Sequence, residues 1–325
     1  MKYEPVTCIR YKDGFTSSTY FTDCLLTSSI TGKICQWDLI TGNQISEFQT
    51  NIKTKFCTPY SRDISDRFDM LVLQTNDDIS LFDLNAKNIS ATAHINTKCF
   101  ARFSLLHSCS SSQPLIISPS GLNLIKVFDL RVNSGTVKFG EVLEIGPIKI
   151  NHSRKSELGM IHNCQPFYSI GDSCIISTYE SGSIVLYDIR KPNEPFVPVY
   201  ITDSLEPIPS LSVWNNVFLI GDTVGNISMF YASKDKGIVL LKTKNISPDS
   251  LKPPGINCLS TRIDGAVLVA GCWDRCVRVF ETKTLDLKCI LDSHSSSIVD
   301  VSFSKTSNQF STASSNGNAN IWNLF

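Results

Sequence analysis

Five histidines are the residues of this chain best suited to carrying a proton or a metal ion: His94, His107, His152, His162 and His294. They are scattered along the sequence, and none sits in a pattern that a known chemistry requires. There is no GxSxG turn to expose a nucleophilic serine, no HExxH pair to bind zinc, and no GxxxxGK[ST] or GxGxxG loop to cradle a phosphate. The twelve cysteines include no CxxC pair, which fits a reducing compartment better than a disulfide scaffold or a zinc site. The side chain with most to offer a protein partner is Trp273, flanked by Asp274 and Arg275 in a polar turn. Trp and Arg are enriched where interfaces concentrate their affinity. The competing reading is that its indole folds over the neighbouring blade as local packing.

Composition narrows the classes further. Thirty Lys and Arg balance thirty Asp and Glu, so a broad, sequence-indifferent grip on nucleic acid or an anionic membrane is not expected. No apolar run approaches a membrane span, and the opening MKYEPVTCIRYK has no hydrophobic signal core, so the expectation is an intracellular protein. At 325 residues and 42% hydrophobic, the chain can bury a large core. Length alone would suggest two domains, a rule that repeat folds break.

The elements that must position these residues are clearest in the last stretch, SHSSSIVDVSFSKTSNQFSTASSNGNANIWNL. Read at period two, it divides into strands over Ile298 to Phe303, Gln309 to Ser314 and Ala319 to Leu324, with an Asn316-Gly317 turn before the third. His294 precedes the first strand, hydroxyls occupy the second, and Trp322 lies near the end of the third. That order of residue types is the pattern of a WD40 repeat, one four-stranded blade of a β-propeller. Its physical basis is a buried network in which turn residue, hydroxyl, imidazole and indole N–H satisfy one another in place of water. The expected members are His294, Ser314, Asn316 and Trp322, with Asp274 at the matching turn of the preceding blade, where backbone amides, Arg275 or Arg278 are its expected partners. His294 therefore reads as structural.

The same third-strand aromatic recurs at Trp37, Phe82, Phe128, Tyr187, Phe230, Phe280 and Trp322, at steps of 45, 46, 59, 43, 50 and 42 residues. Seven blades then account for residues 1–325 as a single all-β, seven-bladed propeller domain. Second strands precede the markers from LLTSS through QFSTAS, and inner strands precede those: TCIRY, KFCTPY, TKCFARF, HNCQPFY, PSLSVW, INCLST and IVDVSF. Cys8, Cys57, Cys99, Cys164 and Cys258 fall in one column of the inner strands. A metal or redox ring is one reading; small buried hydrophobes packing between blades is the favoured one. Closure poses a difficulty, because propellers hide their sheet edges with a strand from the N-terminus. With Val6 to Tyr11 read as the inner strand of blade one, either blade seven is incomplete at three strands or the sequence lacks part of its natural N-terminus. The second is preferred.

Two connections are long. Residues 131–161 carry an outer strand over Val137 to Ile145 and a loop with Lys149, His152, Arg154 and Lys155, and residues 231–255 form a lysine-rich loop. The turns between second and third strands place Ile30, Thr75, Gly121, Glu180, Thr223, Trp273 and Ser315 on one rim. His162, at the start of an inner strand, could face the channel but has no acidic or nucleophilic partner in sequence.

Particular strings here resemble the ASTRA-associated protein family, whose animal members are called guanine nucleotide-binding protein beta-subunit-like proteins. They are Gly271-Cys272-Trp273-Asp274-Arg275 running into Val277-Arg278-Val279-Phe280, the preceding Pro254-Gly255-Ile256, Glu157-Leu158-Gly159-Met160 before blade four, and the turn Tyr179-Glu180-Ser181-Gly182-Ser183. The resemblance is strongest from about residue 157 onward, and Cys272, Asn316 and the short N-terminus depart from it. It implies a non-enzymatic scaffold of nucleus and cytoplasm, a monomeric propeller within a larger complex, with ASTRA subunits or the co-chaperone complex of phosphatidylinositol-3-kinase-related kinases as partners. Chromatin remodelling and kinase maturation are the processes it points to, with no cofactor, metal, direct nucleic acid or membrane. The expected partner-binding residues are Trp273, Arg275, Tyr179 and Glu180, with Arg154 and Lys155 on the long loop. The alternative is a propeller hydrolase acting on a small ester or metabolite in the central channel through His162. No heptad precedes Val6, so pairing with a G-protein gamma subunit as a coiled coil is not expected.

Overall fold

The computed structural model describes residues 3–21, 24–50, 52–60, 70–107, 113–133, 136–146, 157–192, 194–247 and 254–324. Among these residues the regular structure is entirely β-strand, arranged as seven antiparallel sheets of four strands: a seven-bladed propeller. In blades one to six, four strands consecutive in the chain lie side by side in chain order. Blade one runs Phe15–Phe21, Cys24–Ser29, Lys33–Asp38 and Gln44–Gln49, and blade six runs Ile256–Thr261, Val267–Cys272, Val277–Glu281 and Asp286–Leu291. Inner strands of neighbouring blades pack on one another around a central channel.

This arrangement explains the sequence pattern of each strand. Second strands such as Cys24–Ser29, Cys174–Tyr179 and Val267–Cys272 are buried along their whole length, because blades on both sides cover them. They therefore read as continuous apolar and small runs, as strands covered on both faces do. Outer strands such as Asn88–His94 are mostly exposed and read as polar. The seven marker aromatics all lie on third strands. In blades one, two, three, five and six the register against the outer strand shifts at the marker itself, a bulge that adds local twist. The apolar core is divided accordingly into seven clusters, each joining one pair of neighbouring blades. Leu25, Val72, Phe218 and Ile321 are among the wholly buried side chains. Each such aliphatic or aromatic residue contributes roughly 1.5–3 kcal/mol when removed from water.

Closure of the ring corrects the sequence reading. Thr7–Arg10 is the outer strand of blade seven, pairing antiparallel with the third strand Asn318–Asn323 so that Thr7 faces Ile321 and Ile9 faces Ala319. Blade seven thus has four strands, and the inner strand of blade one is Phe15–Phe21. The burial of Thr7–Arg10 alternates, with Thr7 and Ile9 inside and Cys8 and Arg10 outside, as suits an edge position. The segment also ties blade seven to blade one: Thr7 Oγ1 donates to Leu39 O at 2.8 Å, and the Tyr11 ring meets Trp37 edge-on at 5.7 Å. Cys8 accordingly leaves the cysteine column.

Two further expectations change. In blade three the inner strand is Ser104–Leu106, beyond the cysteine-containing stretch. The residues just before it are held by the Gln74 amide, which donates to Ala101 O at 3.0 Å and accepts from Phe103 N–H at 2.8 Å. The lysine-rich segment after blade five contains that blade's outer strand, Gly237–Asn245. Two of its lysines reach blade six, Lys242 at Thr284 O and Lys244 at Asp286, 3.3 Å away.

Candidate functional site

The turns between second and third strands and the segments entering the inner strands meet at one end of the channel. The same backbone bond makes the junction in four successive blades: Glu180 N–H to Met160 O at 2.9 Å, Thr223 to Pro207 at 3.2 Å, Trp273 to Gly255 at 3.0 Å and Ser315 to Ser297 at 3.1 Å. Inner strands of blades one, four, six and seven then carry a register shift close to that end. The shift leaves one residue of each inner strand without a partner across the ladder: Thr16, His162, Asn257 and Val299. All four line the channel, whose volume is about 1340 Å³. A bulge frees backbone groups and turns its residue out of the sheet plane, so the mouth presents polar groups that nothing in a flat strand would offer.

The freed groups have one main taker. The Arg102 guanidinium, from blade three, donates Nη2–H to the carbonyls of Thr16 at 3.3 Å and Val299 at 3.0 Å. Its Nη1 lies 2.9 Å from Asp300 Oδ1 on blade seven, and its plane sits 4.9 Å from the Phe56 ring centre of blade two. Asp300 Oδ2 in turn accepts from the Ser18 N–H of blade one at 2.8 Å. Sequence reasoning passed over Arg102 because it lies in a short run with no periodicity. A lone Arg between Ala and Phe in a channel-facing stretch was the available signal.

Trp273 stands at the rim with its indole 46% exposed. Its six-membered ring lies directly on Gly255, where a Cβ would come within 2.4 Å of the ring. The indole thus packs locally on Gly255 of its own blade, and the residue also lines the channel mouth. Arg275, two residues on, is exposed at the tip of the turn in a left-handed conformation, φ 73°. Asp274 forms a two-point pair with the buried Arg278, at 3.0 and 2.7 Å, and so anchors the turn that carries Trp273.

The remaining residues divide. Glu180 is exposed at the same mouth, and its Oε2 accepts from Met160 N–H at 3.2 Å. Tyr179 is wholly buried, contrary to the expectation that it meets a partner; its hydroxyl bonds that of Tyr187 at 2.6 Å between the second and third strands of blade four, and burial raises its pKa well above the ordinary value. In blade four Tyr187 stands where Trp37 and Trp322 stand, and Ser177 holds the position of their threonine partners, so the marker hydroxyl bonds Tyr179 two residues further along the second strand. Arg154 and Lys155 lie outside the described residues. His162 does face the channel, with its ring centre 6.5 Å from that of Phe100 and its Nε2 unpaired among the described residues. Burial lowers its pKa, against the smaller opposing influence of Glu180.

In blade seven the polar network is built on Thr312. Trp322 Nε1–H donates to Thr312 Oγ1 at 2.9 Å, and His294 Nε2 lies 2.7 Å from the same oxygen. Blade one repeats the indole bond, Trp37 to Thr27 Oγ1 at 2.8 Å. Ser314, the hydroxyl expected there, instead donates to Asn316 Oδ1 at 2.7 Å, and Asn316 donates to Ser295. His294 Nδ1 has no partner among the described residues. Burial favours the protonated thiol at the inner-strand Cys57, Cys164 and Cys258 and at Cys99 ahead of the blade-three inner strand: it pushes Cys57 up to about 11 and raises the other three. A protonated, buried thiol is a hydrophobe and neither a metal ligand nor a nucleophile. Among the described residues no three His, Cys, Asp or Glu side chains group closely enough to hold a metal ion.

Comparison with known proteins agrees with this architecture. The family model described as WD domain, G-beta repeat matches residues 249–281 and 285–323, covering most of blade six and blade seven. The chain is similar to ASTRA-associated protein 1 of Schizosaccharomyces japonicus, 29% identical over 163 residues, and to guanine nucleotide-binding protein subunit beta-like protein 1 of Mus musculus, 26% identical over 152 residues. Each match covers 46% of this chain and 44% of the relative, so the chain spans under half the length of the curated relatives it matches. The chain is a seven-bladed WD40 propeller that resembles the ASTRA-associated family.

Proposed function

We propose that this propeller is a non-enzymatic subunit of an ASTRA-type assembly, active in nucleus and cytoplasm and engaged with the co-chaperone machinery that matures phosphatidylinositol-3-kinase-related kinases. The observation that carries the interaction reading is Trp273: a half-exposed indole seated on Gly255, on a turn braced by the Asp274–Arg278 pair, beside an open channel mouth. A rigidly held aromatic of this kind loses little freedom on binding and is the usual anchor of an interface. Similarity to a protein named for its association with ASTRA supports the choice of assembly.

The test is affinity purification of the tagged full chain from its own cells, wild type beside Trp273→Ala, with co-purifying proteins identified by mass. ASTRA or kinase co-chaperone subunits should accompany the wild type. The variant should fold normally and bind about thirty-fold more weakly, the equivalent of ~2 kcal/mol for a truncated anchor. Undiminished recovery with folded Trp273→Ala would remove the rim from the interface, and recovery of unrelated proteins alone would reduce the resemblance to a shared fold.

A further inference from the structure

The channel mouth is chemically uneven, and its side toward blades two and three holds a cation, Lys55, that forms no ion pair among the described residues and feels only the more distant charge of Asp77. Lys55 Nζ donates to Cys99 O at 3.1 Å and has no carboxylate within ion-pair distance among the described residues. It is half withdrawn from water, which pulls its pKa below the ordinary range for an ammonium. The neighbouring guanidinium of Arg102 is already committed to Asp300 and two carbonyls. Next to Cys99, Phe100 exposes 74% of its surface, more than any other aromatic among the described residues. Beyond it are the His162 ring and the rim carboxylate of Glu180, on blade four.

A partly desolvated ammonium gains most from an anion that replaces its lost water. An exposed phenyl gains most from an apolar side chain laid against it. Arg102 and Asp300 line the same channel but neutralise each other, which leaves Lys55 as the charge free to attract an entering anion. From this charge complementarity we infer that the mouth receives an extended segment of a partner protein that bears an Asp or Glu beside a large apolar residue. The carboxylate pairs with Lys55 and the apolar side chain covers Phe100. This rests on the proposed interaction role and specifies the chemistry of the partner.

The probe is a displayed library of random twelve-residue peptides, panned on the full chain, on Lys55→Gln and on Lys55→Glu. The wild type should select peptides enriched in an acidic residue adjacent to an aromatic or long aliphatic one. Lys55→Gln should lose the acidic preference, and Lys55→Glu should select basic residues in its place. A synthetic selected peptide should bind at least ten-fold more weakly when its acid is replaced by the amide, and more weakly still to Phe100→Ser. Peptides without acidic enrichment, or a selection unchanged by Lys55→Glu, would overturn the inference. Loss of endogenous partners by Trp273→Ala together with either of those results would leave the rim standing and remove only the Lys55 site.

Discussion

Arg102 Nη1 of blade three and Asp300 Oδ1 of blade seven meet at 2.9 Å, on opposite sides of the channel. The carboxylate side chain is 8% exposed and the arginine 34%, so the pair is sheltered on one side only. Without the guanidinium, Asp300 would keep the N–H groups of Ser18 and Val301, and the carbonyls of Thr16 and Val299 would lose a shared donor. Arg102→Met should therefore lower stability by about 2 kcal/mol, less than the loss of a partner from a fully buried pair. Asp300→Asn should cost a similar amount, and the double variant clearly less than both together. Urea unfolding of the four proteins measures this directly; strictly additive losses would mean that the two groups do not interact energetically.

His294 supplies a pH dependence whose direction follows from its burial. Desolvation lowers its pKa to about 4, from an ordinary value near 6.5. Between those values the unfolded chain binds a proton that the folded chain refuses. Stability is thus fully present above pH ~6.5 and falls as pH drops toward about 4, by at most about 3 kcal/mol from this residue. In the imidazolium both ring nitrogens are donors, so Nε2 can no longer accept the Thr312 O–H and Nδ1–H has no partner among the described residues, which adds to the cost. His294→Gln should flatten the stability profile between pH 4.5 and 6.5 relative to wild type, while His107 and His162, also lowered by burial, and the carboxylates Glu47 and Glu281, lowered by their hydrogen bonds, contribute to the slope that remains. Parallel profiles for the two proteins would show that His294 is not the group being charged.

How much of this was legible in the sequence depended on which face of a strand carried the signal. The marker column from Trp37 to Trp322 and the second strands were plain because both faces of those strands are buried, which forces runs of apolar and small residues. The inner strand of blade one, FTSSTYF, was not, because it is Ser- and Thr-rich and faces the polar channel, and it bonds instead through Thr16, Ser17 and Ser18. Its neighbour TCIRY, with an aliphatic at Ile9 and a Cys at position 8, was the more strand-like string and took its place. Of the site, Trp273 was visible as an aromatic in a polar turn. Arg102 was invisible because its significance comes from carbonyls freed by bulges on distant blades, and a bulge leaves no regular trace in sequence; Lys55 was invisible because its partner, the Cys99 carbonyl, lies on the next blade. Tyr179 misled because its position next to the turn says nothing of its partner, Tyr187.

The donated strand makes its own prediction. Thr7–Arg10 covers an edge, Asn318–Asn323, whose inward residues Ala319 and Ile321 are fully buried. A chain beginning at residue 12 would present that edge with its unpaired N–H and C=O groups, a template for pairing with another molecule. It should melt at a lower temperature and self-associate in light scattering. A synthetic peptide of residues 1–11 added in excess should restore the monomer. A truncated chain that stays monomeric and equally stable would show that blade seven closes without this strand.

Gly255 tests whether Trp273 acts through its placement and not merely its presence. The glycine's backbone lies outside the left-handed region, so an added methyl brings no backbone strain; the three atoms nearest to it all belong to the indole, the closest at 2.4 Å. Because the opposite face of that ring is exposed, the indole can lift away instead of forcing the blade apart. Gly255→Ala should then cost about 1 kcal/mol or less in stability, at the low end for an overpacked site. Partner binding should nevertheless fall by at least five-fold, since an anchor held in the wrong orientation must be reordered on association. Intrinsic fluorescence should report a more solvated Trp273, checked against Trp273→Phe to isolate its signal. Normal binding by Gly255→Ala with a demonstrably displaced indole would mean that the partner selects the ring in whatever orientation it finds, and that the seat on Gly255 serves the fold alone.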